Sequence, residues 1–264
     1  MRVPVISASE RDAKHNFGNR GGAQGSGHAT LRDPHAHSSP PPTMSATSSK
    51  TYDSQSVYSP ATLAIYDTLV LRLSNPLIWR CPTRRILDLY NQHVAESHLD
   101  VGVGTGWYMD HCRFPAAPRL ALMDLNPNSL EAAARRVGRY SPTTHVVDVL
   151  RPIDGHGETY GSIGVTYLLH CLAGDIRQKS AVFDHLIPLL APGGTLFGAT
   201  ILAQGVPRSP AAVKLMGFYN KKGIFGNARD SLDDLRLALA SRFNDVRVDT
   251  IGCVALFSAK GPSP

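Results

Sequence analysis

The stretch 98-HLDVGVGTGWYMD-110 decides how this chain is read. A short apolar run carries Asp100 and then meets glycines at alternate positions, Gly102, Gly104 and Gly106. Glycine lets main chain approach a ligand with no Cβ in the way, and it tolerates positive φ. Asp100 places a carboxylate beneath the loop, where it is expected to accept hydrogen bonds from the turn amides. The competing pattern is the dinucleotide-binding G-x-G-x-x-G. Begun at Gly102 it requires glycine at 107, where Trp107 stands; begun at Gly104 it requires glycine at 109, where the chain has Met109.

The spacing D-x-G-x-G-x-G over 100–106 resembles motif I of the class I S-adenosylmethionine (SAM)-dependent methyltransferases, and the resemblance extends from about Tyr58 to Lys260. It implies SAM as cofactor, bound by Asp100 and the loop glycines Gly102, Gly104 and Gly106. By the same resemblance Asp124, at the end of the second strand, accepts the ribose hydroxyls, and Asp148, at the end of the third, receives the adenine amino group. Local readings compete: Asp124 also reads as a helix-capping residue before Asn126, and Asp148 as a turn residue. One departure stands out. The family opens its fourth strand with an aspartate, whereas here Tyr160-Gly161-Ser162 occupies that place and leaves the start of the strand open.

Strands and helices alternate along the chain, which implies a parallel sheet covered on both faces. Strands are predicted at 98–103, 120–124, 144–149, 162–169, 195–202, 246–251 and 254–258. Helices are predicted from Ser59, from Pro82-Thr83 to His93, over 130–137 behind the Asn126-Pro127 cap, over 177–190, and from Ser231 to Phe243. Only Gly252-Cys253 separates the last two strands, so they form an antiparallel hairpin. The fold class is therefore α/β: three layers, doubly wound, with a mostly parallel seven-stranded sheet ending in that hairpin, the Rossmann-like architecture the resemblance implies. Three regions follow. Residues 1–50, rich in Gly, Ser and Pro, lack hydrophobic periodicity and read as a disordered tail, with Met44 an alternative start. Residues 51–97 form an N-terminal helical cap, and 98–260 the SAM-binding domain.

The 264 residues are 42% hydrophobic and carry a net charge of +6. The cations cluster only as pairs such as Arg84-Arg85, Arg135-Arg136 and Lys221-Lys222, with no basic stripe to track nucleic acid. The proline-rich motif of nucleic-acid amino-methyltransferases, (D/N/S)-P-P-(Y/F), is also out of place: Ser39-Pro40-Pro41 lies in the tail, and Tyr167-Leu168-Leu169-His170 stands at the end of the fourth strand. No apolar run approaches the roughly 18 residues of a membrane helix. Cys81, Cys112, Cys171 and Cys253 are far apart and read as thiols of a reducing compartment, hence a cytoplasmic protein. Asp110, His111 and Cys112 are adjacent but point apart, so no metal site is expected.

These observations favour a SAM-dependent methyltransferase acting on a small-molecule acceptor, in the style of secondary or cofactor metabolism. A non-catalytic SAM- or partner-binding module on the same fold is an alternative, and an NAD(P)-dependent oxidoreductase a more distant one. His170, at the end of the fourth strand, is the candidate general base; its other reading is a hydrogen-bonded histidine that lines the pocket without chemistry. Tyr58 and Trp107 are candidate aromatic faces for the sulfonium. Nearly thirty residues between the fifth strand and the Ser231 helix, with Met216, Phe218, Tyr219 and Phe225, read as an acceptor-facing cap or as an ordinary helix over 211–220.

Overall fold

In the computed structural model the described residues are 67–154 and 157–262. The predicted tail, Met44, Tyr58 and the start of the Ser59 helix lie outside them. The first described element is a helix wound in the wide π manner, Asp67–Ile78. Its looser turns accommodate Pro76, which would break a regular α-helix by its ring and its missing N–H. Next comes α1, Thr83–His93, which buries Ile86, Leu89 and Tyr90 on one face.

Strands β1 (Ser97–Val101), β2 (Arg119–Asp124), β3 (Thr143–Val146), β4 (Tyr160–Thr166), β5 (Leu190–Ile201), β6 (Phe243–Ile251) and β7 (Val254–Pro262) form one sheet in the order β3-β2-β1-β4-β5-β7-β6. The chain builds outward from β1 in one direction and from β4 in the other, so the order reverses between them. In such sheets a crevice opens there, beyond the carboxyl ends of the strands. The first five strands pair in parallel. The closing hairpin folds so that β7 lies inside, antiparallel to both β5 and β6.

Successive residues along a strand face opposite sides, and the two sides bury different helices. One face carries Leu99, Val101, Ala121, Met123, Ile163 and Val165 under α4 (Ile176–Lys179), α5 (Ala181–Leu186) and α7 (Leu232–Ala240). The other packs Leu120, Leu122, Phe197, Ala199 and Ile201 against α1, α2 (Trp107–His111), α3 (Pro127–Arg136) and α6 (Pro210–Lys221). Caps begin four of these helices: Asn126 accepts from the Asn128 amide, Asp175 from Gln178, Ser209 from Ala212 and Ser231 from Asp234, each contributing about 1 kcal/mol.

Several boundaries differ from the prediction. β1 stops at Val101 because Gly102 turns the chain at φ 75, and β4 stops at Thr166 because Tyr167 turns at φ 58. β4 starts at Tyr160 without an acid: the Ser162 hydroxyl accepts from the Ala95 amide and shares a hydrogen bond with His98 Nδ1 at 2.8 Å. The predicted 177–190 helix is broken at Ser180, with α5 passing into a 3-10 turn at Ile187–Leu189. The Ser231 helix ends at Ala240, and Phe243 opens β6. The stretch read as a cap holds the ordinary helix α6, with Ala212 and Met216 buried beneath it.

Close strand packing leaves Gly198 no room for a side chain. A Cβ on Gly198 of β5 would stand 2.0 Å from the Val165 carbonyl oxygen and 2.8 Å from the Phe257 ring. Gly198→Ala is therefore expected to lower the unfolding free energy by about 3 kcal/mol, as overpacking against backbone does. Denaturant unfolding of the variant checks this; a midpoint equal to that of the wild type would contradict the packing described.

Candidate functional site

At the reversal of strand order lies a cleft of about 810 Å³, lined by the whole of Gly102–Tyr108 together with Leu71, Tyr90, Asp100, Asp124, Ser129, Thr166, Tyr167, Leu168 and Cys171. A smaller recess of about 240 Å³ lies between Leu125, Val147, Asp148, Val149 and Leu172. Gly102, Asp124 and Leu168 line both. The site is thus bipartite, with Asp124 where its two parts meet.

All three loop glycines adopt positive φ, at 75, 53 and 74 for Gly102, Gly104 and Gly106. Their surroundings differ. A Cβ on Gly102 would press on Leu168 at 3.0 Å, and one on Gly106 would meet the Ala133 backbone of α3 at 3.0 Å. A Cβ on Gly104 would meet nothing within 4 Å and would project into open space. Gly102 and Gly106 are therefore demanded by packing, whereas Gly104 keeps a stretch of bare main chain exposed to whatever enters the cleft. Trp107, which breaks the dinucleotide pattern, opens α2 and lines the cleft with Tyr108.

The loop amides are expected on Asp100, but they go to Asp124. Its carboxylate accepts from the amides of Asn126, at 2.8 Å, and of Val103, Gly104 and Leu125. Asp100 lies deeper, 3% exposed. It accepts from the Tyr90 hydroxyl at 3.2 Å and from the Val101 amide. The reason is sheet geometry: β1 aims Asp100 inward beneath α1, whereas Asp124 ends its strand level with the loop. Burial pushes the Asp100 carboxyl up to about 7 and the Asp124 carboxyl up to about 6, against the hydrogen bonds each receives.

Asp148 lines the smaller recess beside Val149. Its carboxylate also accepts from the Leu150 amide at 3.1 Å and lies 3.5 Å from Arg151 Nε. The structure thus brings Asp100, Gly102, Gly104, Gly106, Asp124 and Asp148 around one bipartite cavity. His170 is not brought there. It is 3% exposed, its Nδ1 accepts from the Ile201 amide at 3.4 Å, and its ring meets Phe225 edge-on at 4.5 Å. Burial and the nearby Lys179 ammonium push its pKa down to about 3, which keeps the ring neutral. A base must reach the proton it removes, and this ring is packed behind the cleft wall.

Sequence reasoning missed Tyr90, Thr166 and Cys171, which line the cavity from within helices or strand ends and carry no spacing signal. It also missed Asn75, which is fully buried above it. Asp110 pairs with Arg139 and lies 3.5 Å from His111 Nδ1, His111 stacks on Trp107, and Cys112 is buried against the Met109 carbonyl. No helix among the described residues is long and apolar enough to cross a membrane.

A family model described as a methyltransferase domain matches residues 99–196. A demethylluteothin O-methyltransferase from Streptomyces thioluteus is 40% identical over 208 residues, covering 78% of this chain and 90% of that protein. A physcion biosynthesis cluster O-methyltransferase from Aspergillus chevalieri is 38% identical over 208 residues, covering 78% and 94%. Among solved structures, DhpI in complex with SAH (S-adenosylhomocysteine) aligns with a TM-score of 0.56 at 16% identity, over 83% of this chain and 100% of that one, a likeness of fold.

The contrast between the glycines is testable. Gly106→Ala is expected to cost about 3 kcal/mol of stability, combining left-handed strain with the contact on α3. Gly104→Ala should cost about 1 kcal/mol from strain alone, yet weaken S-adenosylhomocysteine binding at least tenfold by calorimetry. Undiminished affinity in Gly104→Ala would show that the ligand does not approach this loop.

Proposed function

The chain belongs to the class I SAM-dependent methyltransferases, and from that premise we propose that it methylates a hydroxyl oxygen on a flat, conjugated small molecule. One observation carries the reading: the bare Gly104 backbone and Asp124 face a single bipartite cavity at the switch in strand order. In this reading SAM spans both parts, with its adenine near Asp148 and Val149 and its ribose hydroxyls on Asp124. The fit rests on two features, the space a Cβ on Gly104 would fill and the carboxylate held at the junction by the loop amides.

Bound SAM supplies a methyl group already activated on a positively charged sulfonium. What the protein adds is position and exclusion of water, contributions worth about 7–11 kcal/mol when reacting atoms are well oriented. Asp100 and Asp124 are the charged side chains that line the larger part of the cavity, and both favour a cation when ionised. The faces of Tyr90, Trp107 and Tyr108 do the same, at about 0.5–2 kcal/mol each. The larger part of the cleft offers rings and Leu71 to an acceptor, which suits an apolar, planar molecule.

Oxygen as the methylated atom is supported by the names of the two O-methyltransferase relatives. Hydroxyl acidity is supported by the lining itself. Among the described residues no histidine or lysine lines the cleft, so an acceptor that ionises by itself needs least help. We do not assign His170 the base role; its hydrogen bond to the β5 amide and its contact with Phe225 support a packing role. A cytoplasmic location is part of the proposal, supported by the wide spacing of Cys81, Cys112, Cys171 and Cys253 along the chain.

Two measurements test this reading. SAM affinity should fall at least tenfold in Asp124→Ala. In the wild type it should fall as pH drops from about 7.5 to 5, because Asp100 and Asp124, poised near 7 and 6, take up protons and lose the charge that favours a cation. Affinity independent of pH would remove the carboxylates from the site. With tritium-labelled SAM, an acidic hydroxycoumarin should be methylated faster than naphthol, and His170→Asn should keep the wild-type pH profile; a profile that loses a neutral-range step in His170→Asn would restore the base.

A further inference from the structure

Two rings of the cleft wall come from distant parts of the chain. Tyr108 stands on α2 directly after the glycine loop, and Tyr167 follows β4. A third element, the helix Asp67–Ile78, ties them together through one fully buried side chain, Asn75. The Tyr167 hydroxyl donates to Asn75 Oδ1 at 3.0 Å. Asn75 Nδ2 donates to Thr83 Oγ1 at 3.0 Å and to the Tyr108 hydroxyl oxygen at 3.4 Å. Thr83 Oγ1 in turn donates to the Leu71 carbonyl, and Leu71 lines the same cleft.

Both rings are fixed at their other ends as well. Tyr108 stacks on Tyr90 with ring centroids 5.3 Å apart and planes 11° from parallel, and Tyr90 donates to Asp100. Tyr167 holds φ 58, a conformation that a bulky residue adopts only where its surroundings over-determine it. Its amide extends the β4–β5 ladder to the Ala199 carbonyl at 2.7 Å, its carbonyl accepts from Cys171 Sγ at 3.7 Å, and its ring meets His170 edge-on at 5.3 Å. Glycine would adopt this backbone without strain. A tyrosine here gains something only from its side chain, and that side chain reaches Asn75.

We propose that Asn75 is a positioning residue for the acceptor: it clamps Tyr108 and Tyr167 into one wall of the cleft and fixes the Asp67–Ile78 helix to it. Asn75 acts through the two rings, and the bare loop and Asp124, which face the donor, lie outside its hydrogen bonds. A polar clamp of this kind is directional where apolar packing is not, so it sets the angle at which a flat acceptor is presented. The inference rests on the reading of the larger part of the cleft as the acceptor side.

The test uses Asn75→Leu, Tyr167→Phe and the double variant, with hydroxycoumarin as acceptor and S-adenosylhomocysteine as donor-site probe. In each single variant KM for hydroxycoumarin should rise about tenfold, with S-adenosylhomocysteine Kd within about twofold of wild type. The double variant should be no worse than the weaker single one, because both remove the same link. Tyr167→Phe is the milder change and carries the test if Asn75→Leu fails to fold. Unchanged KM in both single variants overturns the proposal, and so does an S-adenosylhomocysteine affinity that falls in step with KM. A wild type that methylates no phenol would defeat the functional reading, and hydrogen exchange then decides the clamp alone. Exchange over residues 71–79 should quicken about tenfold in Tyr167→Phe while residues 97–106 stay as protected as before; equal protection over 71–79 overturns it.

Discussion

The site depends on one carboxylate gathering main-chain amides. Asp124 closes β2 and takes the amides of Val103, Gly104, Leu125 and Asn126. A loop bare enough to let a ligand touch its backbone leaves its own N–H groups poorly served, and partly buried amides without partners cost about 1–3 kcal/mol each. Asp124 removes that cost and fixes the loop at the same time. It remains partly buried beside an open cavity, which is why its carboxyl sits above the usual range. The residue that shapes the cradle is thus also the charge placed against its contents.

A second constraint follows from sheet parity. On the α1 face of β1 and β4 the side chains are His98, Asp100, Ser162 and Thr166, with Gly164 directly across from Asp100. This polar seam runs through an otherwise apolar sheet and ends at the cleft. Part of its cost is offset by pairing, of Ser162 with Ala95 and His98 and of Tyr90 with Asp100, whereas Thr166 Oγ1 and His98 Nε2 are buried without a hydrogen-bond partner among the described residues. Gly164 is required by the seam, since a Cβ there would lie 3.1 Å from Asp100 Oδ1 and 3.3 Å from the His98 ring. The opposite face of the same two strands is Leu99, Val101, Ile163 and Val165. One face of the central strands therefore carries cohesion, and the other gives up apolar burial to hold the site.

Much of this was legible in the sequence because it is periodic or punctuated. The alternate glycines, the order of strands and helices, the Asn126-Pro127 and Ser231 caps and the closing hairpin all leave local marks. What failed to show was decided by distant contacts. Nothing in 98-HLDVG-102 says whether Asp100 or Asp124 receives the loop amides, because that depends on how far each strand extends past its neighbour. The apolar run 165–169 reads as strand, and a left-handed tyrosine at 167 leaves no mark where a glycine would. His170 drew attention by residue type, while its burial between β5 and Phe225 was set by α6 and the loop after it. Asn75 sits beside a proline in an unremarkable stretch; the two rings it holds are 33 and 92 residues away.

These two sets of contacts differ in kind, and the difference bears on how such an enzyme can change. In the proposed reading the donor side is made of strand ends and main chain, so almost any substitution there either strains a left-handed glycine or strips partners from buried amides. The proposed acceptor side is made of rings on α1, α2 and the β4 turn, held by stacking and side-chain hydrogen bonds. Rings can be exchanged one at a time without disturbing the ladder beneath them, because Tyr108 and Tyr90 meet by stacking and Tyr167 reaches Asn75 through a single hydroxyl. A methyl donor common to many reactions and an acceptor peculiar to one thus find their physical counterparts in backbone and side chain. The cost of separating them is borne at Tyr167, where a strained residue joins the rigid half of the cleft to the adaptable one.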